Sequence, residues 1–324
     1  VKGFDAEFRD LDHYIRVITD RIWEGRRLDD IYRYYSDPCA VETPGSVTTR
    51  VEDVVEGTRA TLRAFPDRRL LAEDIIVSGD EHGGFLSSHR IFSPMTHAGP
   101  GPFGLATGRA VHVRTIADCV CIDNRIVHEW LVRDQGAIAR QIGVEPRSLA
   151  QRWLDERGAW NKPAMPSAPL PYVSHVETQG PAAAYGSHFV ALWRDGDTSL
   201  ASAIYAEDVI VALPGNARSV GVDSLLSAWQ AWRAALHIER LDIEHLTANE
   251  RPGRATAVAM RWRLSAWHNG DGVLGPASRR PVEILGISHA EIEAERVVRE
   301  WILFDEVALW MQVLQPAATS TAGG

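Results

Sequence analysis

The sequence predicts an α+β protein built as two tandem copies of one domain. Three observations predict it: a long-period internal repeat, a switch from helical to strand-like hydrophobic period inside each copy, and a proline-rich spacer between the copies. At an offset of 171 residues the chain matches itself without a gap from Arg90/Arg261 to Asp134/Asp305. Fourteen of these 45 paired positions are identical, including His97/His268, Glu129/Glu300, Trp130/Trp301 and Asp134/Asp305. Chance pairing at average composition gives roughly three. The repeat is therefore a duplication. Upstream the offset drops to 170, pairing Tyr35 with Tyr205 and Pro44-Gly45 with Pro214-Gly215.

Each copy opens with helix. Residues 14–35 carry Tyr14, Ile15, Ile18, Ile22, Ile31 and Tyr34 near helical spacing, and 51–65 form a second helix closed by Pro66. Their counterparts are 185–205 and 222–236. The period then changes to two: 75–77, 85–92, 110–121 and 126–132 read as strands separated by Gly, Asp and Asn turns. Helices followed by antiparallel strands predict helices packed on one face of a curved sheet. Such a sheet, with a helix across its mouth, encloses a pocket suited to a small ligand. A helical stretch at 147–157 ends copy one. Pro163, Pro166, Pro169 and Pro171 then make a stiff spacer. The expected organisation is domain one at 1–157, linker at 158–174, domain two at 175–315 and a frayed tail at 316–324.

Bulk properties exclude several classes. The chain has 324 residues, 45% of them hydrophobic and 24% charged, with a formal net charge of −9. That balance argues against nucleic acid, whose phosphates need clustered Lys and Arg. No run of apolar residues is long enough to predict a membrane span. The opening segment, residues 1–7, turns acidic and predicts no signal peptide. The three cysteines, Cys39, Cys119 and Cys121, form no Cys-x-x-Cys pair. They predict neither a disulfide framework nor a zinc site, but small buried hydrophobes in a reducing cytoplasm. The twelve histidines show no metal-ligand spacing, and no phosphate-binding glycine loop is present. No metal and no cofactor are expected.

Two segments carry a family resemblance. The first is Thr96-His97-Ala98-Gly99, running to Gly104 and then Ala106-Thr107-Gly108-Arg109-Ala110-Val111. The second is Asn124-Arg125-Ile126-Val127-His128-Glu129-Trp130, followed by Asp134 and Gln141-Ile142-Gly143. Together they resemble the SnoaL-like branch of the nuclear-transport-factor-2-like superfamily, which implies two cone-shaped α+β barrels. Copy two keeps His268, Gly270, Glu300, Trp301, Asp305 and Gln312. It departs at Ala266-Trp267, Ser278-Arg279 and Leu314, which predicts diverged pockets.

The resemblance implies that a pocket Asp serves as acid/base for an aldol closure, placing the role on Asp134 and Asp305. One carboxylate can remove a proton beside a carbonyl and return it elsewhere if burial raises its pKa toward working pH. A neutral His97 or His268 can then hydrogen-bond the enolate oxygen. Regular alternation from Ile126 puts His128, Trp130, Val132 and Asp134 on one face and turns Glu129 and Arg133 away. By the same count Arg299, Trp301 and Asp305 share a face. The expected substrate-binding set is Trp130, His128, Arg90, Trp301, Arg261 and Arg299.

Blander roles stand beside these. The two Asp residues can be helix N-caps, the two His can bond loop backbone, and the two Trp can be core. Arg90 and Arg261 can bind a substrate carboxylate or pair with Glu129 and Glu300. Seven of the eleven tryptophans lie from Trp193 onward, as an aromatic-lined cavity in copy two or as core. The functional expectation is a cofactor-independent lyase, isomerase or cyclase acting on a small carbonyl compound. The alternative is a non-catalytic small-molecule binding or scaffold protein. The expected partners are a small molecule and, inside the chain, the other copy as a pseudo-dimer that a further homo-oligomer can extend. Neither nucleic acid nor membrane is expected.

Overall fold

The computed structural model describes residues 1–158, 160 and 175–315. Most of the expected linker and all of the expected tail lie outside the described residues. Copy one runs α1 (Leu11–Thr19), a π-helical turn (Asp20–Glu24), α2 (Asp30–Tyr34), β1 (Tyr35–Thr43), β2 (Ser46–Thr48) and α3 (Val51–Ala64). It continues with β3 (Leu71–Asp80), β4 (Gly84–Thr96), β5 (Ala110–Ile122), β6 (Arg125–Arg133), α4 (Gln135–Ile142) and α5 (Pro146–Arg157). Copy two runs α6 (Gly180–Val190), a π-helical turn (Ala191–Asp195), α7 (Ala201–Ile204), β7 (Tyr205–Leu213) and β8 (Ala217–Val220). Then come α8 (Val222–Ala235), β9 (Leu236–Asn249), β10 (Thr256–His268), β11 (Pro281–Glu293), β12 (Arg296–Phe304) and α9 (Glu306–Leu314). The two sheets have six strands each, in the orders β2-β1-β6-β5-β4-β3 and β8-β7-β12-β11-β10-β9. Within the two sheets, β1–β6 and β7–β12 pair in parallel and the other neighbours antiparallel. This is the expected α+β class: two tandem cones, each a mostly antiparallel sheet wrapped on helices. Among the described residues no helix is long and apolar enough to cross a membrane.

Local chemistry explains the helices. Asp10 caps α1 by accepting from the His13 backbone N–H at 2.7 Å, and Leu11, Tyr14, Ile15 and Ile18 bury one face. Pro66 lies just beyond α3. The helix expected over 14–35 is divided, because the chain breaks after the π-helical turn and enters β1 at Tyr35. β1 and β2 escape the alternation rule. β1 is anchored by parallel pairing to a strand about ninety residues away, a tertiary fact.

Each sheet has one face under its own helices and one bare face, and the two bare faces pack together. Leu86, Ile116, Val120, Trp130 and Val132 meet Leu285, Ile287 and Leu303. The Arg90 guanidinium lies 3.4 Å from the Trp301 ring centroid, and Arg261 lies 3.6 Å from that of Trp130. Arg261 also pairs with Asp118 at 2.8 Å. The Ser88 hydroxyl donates to Asp118 at 2.5 Å and sits 2.7 Å from His289 Nε2. Arg90 is 3.2 Å from His289 Nδ1. Arginine only donates. Nδ1 therefore accepts and Nε2 carries the proton, which orders a relay Arg90 → His289 → Ser88 → Asp118. At the rim Asn249 bonds both the N–H and the C=O of Val77, at 2.9 and 2.8 Å.

The two cones differ in what fills them. The 171-residue offset also holds for the helices, setting α3 (Val51–Ala64) on α8 (Val222–Ala235), and at that offset Thr58, Thr61, Ile22, Ile91 and Arg133 of copy one become Trp229, Trp232, Trp193, Trp262 and Phe304. These aromatics pack on one another. Trp193 and Trp229 centroids are 3.8 Å apart, Trp232 and Phe304 5.0 Å, and Trp262 and Phe304 6.3 Å. Four of the seven tryptophans from Trp193 onward are thus packed inside the copy-two cone. Thr115 becomes Gly286, and a Cβ there would sit 2.1 Å from Trp262 Cζ2. Gly286→Ala is expected to cost about 1–3 kcal/mol by overpacking, seen as a lower thermal midpoint by circular dichroism. An unchanged midpoint would show that the aromatic plug is loose.

Candidate functional site

The helix-covered face of copy one encloses a chamber of about 240 Å³. Its apolar walls include Ile15, Ile18, Ile22, Trp23, Ile91 and Leu131, and its polar groups include Tyr35, Asp53, Thr58, Arg68, His89, Thr115, Glu129 and Arg133. Glu129 is 8% exposed. Burial raises its carboxyl from 4.5 to about 7, against the opposing hydrogen bond from Tyr35; the phenol donates at 3.2 Å. His89 is pushed down to about 3, mainly by burial, and stays neutral. No described protein group bonds Arg68 Nε, His89 Nε2, Thr115 Oγ1 or Arg133 Nε. Buried polar atoms are nearly always paired, so four orphans around one chamber mark a place for a polar ligand.

A second cavity of about 480 Å³ adjoins the first, and Gly57, Thr61, Arg68 and Arg133 line both. Its wall holds Trp153 from copy one, Trp160 just beyond it, and Asp305, Ala308 and Met311 from copy two. Copy two thus supplies part of the vestibule to copy one's chamber.

The expected site residues fall elsewhere, Asp305 excepted. Asp134 caps α4 through the Ala137 N–H at 3.0 Å and accepts from Gly215 and Asn216 N–H, both at 3.0 Å. Its carboxylate ties copy one to a turn of copy two and lines neither cavity. Burial raises its pKa, opposed by these backbone bonds. Asp305 caps α9 through Val307 N–H at 2.9 Å and accepts from Gln135 at 2.6 Å. Burial raises Asp305 to about 7. His97 bonds Thr107 at 3.1 Å, and His268 bonds Ser278 at 2.9 Å, each anchoring its own loop. His128 lies 2.6 Å from Glu42, which also holds Arg263 at 2.8 Å, within the packed bare faces.

Trp130, Trp301, Arg90 and Arg261 belong to those faces as well. The arginines do not pair with Glu129 and Glu300: Arg90 pairs with Glu73 at 3.2 Å, and Arg261 with Asp118. Arg299 is likewise not beside Asp305; it pairs with Glu291 at 2.5 Å at the surface.

The parity count grouped the residues of β6 correctly but assigned the wrong face to the pocket. His128, Trp130 and Val132 do share a face, and it is the bare one. A register shift at Val120/Cys121 lets Ile126 point into the chamber together with Glu129, Leu131 and Arg133. Glu129 could have been found from its identity in both copies. His89, Thr58, Thr61 and Arg133 could have been found as positions that turn apolar or aromatic in copy two. Arg68 had no signal, because it lies on the turn after α3. The counterpart carboxyl, Glu300, is sealed under Tyr185 and Tyr205, whose hydroxyls donate at 2.6 and 2.8 Å. All three cysteines are free and buried. Among the described residues no three His, Cys, Asp or Glu converge to hold a metal ion.

A cone of helices and curved sheet around a buried carboxyl defines a small-molecule pocket protein. The model of the SnoaL-like polyketide cyclase family matches residues 14–142 and again 186–313, and the chain belongs to that family. Similar solved structures include AclR from Streptomyces galilaeus (20% identity, 41% of this chain and 80% of that one, TM-score 0.36). Others are TsrD from Streptomyces laurentii (19%, 42% and 96%, TM-score 0.36) and a SnoaL-like polyketide cyclase from Agrobacterium tumefaciens (21%, 42% and 99%, TM-score 0.34). No curated protein sequence matches the chain.

Two outcomes follow from the placement of the carboxyls. Asp134→Asn leaves two backbone donors of copy two poorly served, and is expected to cost about 1–3 kcal/mol of stability while leaving ligand binding in the chamber intact; calorimetry and a binding titration read the two effects separately. For Glu300, burial raises the carboxyl from 4.5 to about 7. The folded state then holds that proton more tightly than the unfolded chain, so stability falls as pH rises through this window. The melting temperature of Glu300→Gln relative to the parent is expected to climb from about pH 5 to about pH 8; a flat difference would contradict the raised carboxyl.

Proposed function

We propose that the copy-one chamber is the active site of a cofactor-independent cyclase, isomerase or lyase acting on a small carbonyl compound, with Glu129 as the acid/base. The observation that carries this reading is the contrast between the two carboxyls. Glu129 faces a chamber with unpaired polar atoms, whereas Glu300 is closed off beneath aromatic side chains. A carboxyl with a pKa near 7 is divided between base and acid at neutral pH, which suits a group that takes a proton and then returns it.

In this mechanism the Glu129 carboxylate removes a proton from the carbon beside the carbonyl. The electron pair moves onto the carbonyl oxygen, and the proton is later delivered to the product. Tyr35 holds the carboxylate by its phenol. Neutral His89 in its Nε2–H form, or Thr115, hydrogen-bonds the developing enolate. Copy two keeps the fold and closes the vestibule.

The test is deuterium exchange of ketone α-protons in D₂O, followed by proton NMR over a panel of cyclic and aryl ketones. The parent is expected to accelerate exchange with a base limb rising through about pH 7. Glu129→Gln is expected to lower the rate at least 100-fold, with Glu300→Gln and Asp134→Asn within a few-fold of the parent. Exchange that survives Glu129→Gln would overturn the assignment. Ligand binding that persists with no exchange in the parent would favour the binding-protein alternative.

A further inference from the structure

The proton-transfer reading does not use the two arginines of the chamber, Arg68 and Arg133. Arg68 is 2% exposed. Its side-chain contacts are a 3.4 Å bond to the Ser93 hydroxyl and the face of Trp23 at 5.1 Å. Neither is an anion. Arg133 is half-buried on β6, with its Nε unbonded. Among the described residues neither guanidinium has a carboxylate within salt-bridge distance, although the chain's other buried arginines, Arg90 and Arg261, do. Both line the chamber and the vestibule, at the seam between them. Burial and mutual repulsion push the Arg68 pKa far down, and burial lowers that of Arg133. A buried, unpaired guanidinium is destabilising unless something that binds repays it.

We infer that the substrate carries a carboxylate, clamped between Arg68 and Arg133 where the chamber meets the vestibule. The inference rests on the copy-one chamber being the ligand site, and not on the role of Glu129. Charge selects an anion. Glu129 and Asp305 are the carboxyls that act on Arg133, and burial raises both, which favours their neutral forms. Two guanidiniums at one seam then attract a negative group. Asp53, at the chamber rim, is exposed and screened. The fork of a guanidinium matches a carboxylate in two hydrogen bonds. Position then fixes the substrate's polarity. Glu129 and Arg133 are four residues apart on one strand face, so their Cα atoms are about 13 Å apart. The carboxylate lies at the seam, the reacting carbonyl lies deeper beside Glu129, and the apolar body rests against Ile18, Ile22, Ile91 and Leu131.

The experiment compares 2-naphthoate and benzoate with their primary amides, and with inorganic phosphate, by calorimetric titration of the full chain. The parent is expected to bind at least one carboxylate 10-fold or more tighter than its amide, with phosphate weaker. Arg68→Met and Arg133→Gln should each erase that preference and leave amide binding in place. Without ligand, Arg68→Met should melt at or above the parent temperature, since it removes an unpaired buried charge. Should Arg68→Met fail to fold, Arg133→Gln alone decides, because its side chain is half-exposed. Equal affinity for acid and amide, tighter binding of phosphate, no binding by the parent, or a preference that survives both substitutions would overturn the inference. Glu129→Gln should keep the carboxylate preference. Loss of exchange without a carboxylate preference sinks only the clamp, and a carboxylate preference with exchange intact in Glu129→Gln sinks only the acid/base assignment.

Discussion

A curved sheet has two faces, and in this chain one face of each sheet is spent on the other copy. The rest of the structure follows from that constraint. The bare faces are joined by an apolar strip, by two arginines stacked on tryptophans across the seam, and by a relay from Arg90 through His289 and Ser88 to Asp118. Every polar group of the relay is partnered, so the network is coherent at low dielectric. Residues committed there cannot also face a ligand. That removes Trp130, His128, Arg90, Trp301 and Arg261 from the pocket together, and leaves the chamber to the helix-covered face of copy one.

The duplication then let the two faces diverge. In copy one the helix-covered face keeps Thr, His and Arg around a chamber. In copy two the same positions hold Trp, Phe and Met, and a glycine makes room for an indole ring. Close packing stands there in place of a pocket. Copy two nevertheless reaches the vestibule through Asp305, Ala308 and Met311. The broken equivalence also runs through the caps. Asp134 is consumed by the turn at Gly215 and Asn216, while Asp305 accepts from Gln135 and still borders the vestibule.

Buried charge in copy one is arranged at some cost to stability. Glu129 is kept where its ionisation is disfavoured, and Arg68 is kept where its charge is unpaired. Such groups are expensive in the free protein, and sites that carry perturbed carboxyls and orphan polar atoms are where function concentrates. The copy-two cone instead fills with aromatic rings and holds Glu300 under two phenols.

The sequence by itself determined the duplication, the α+β class, the family and most strands, because these are written in local period and in the identity of paired positions. It also held, unread, the contrast between Thr58, Thr61 and Arg133 in one copy and Trp229, Trp232 and Phe304 in the other. Tertiary structure alone decided which face of β6 is the pocket, because docking of the two sheets covers the Trp130 face, while the register shift turns only Ile126 into the chamber. It alone decided that Asp134 would be consumed by backbone donors from a turn 81 residues away. It alone brought Arg68, on a turn without any motif, to the mouth of a chamber beside Arg133. Side-chain direction and long-range partners are set by how the two sheets dock, and no local pattern encodes that docking.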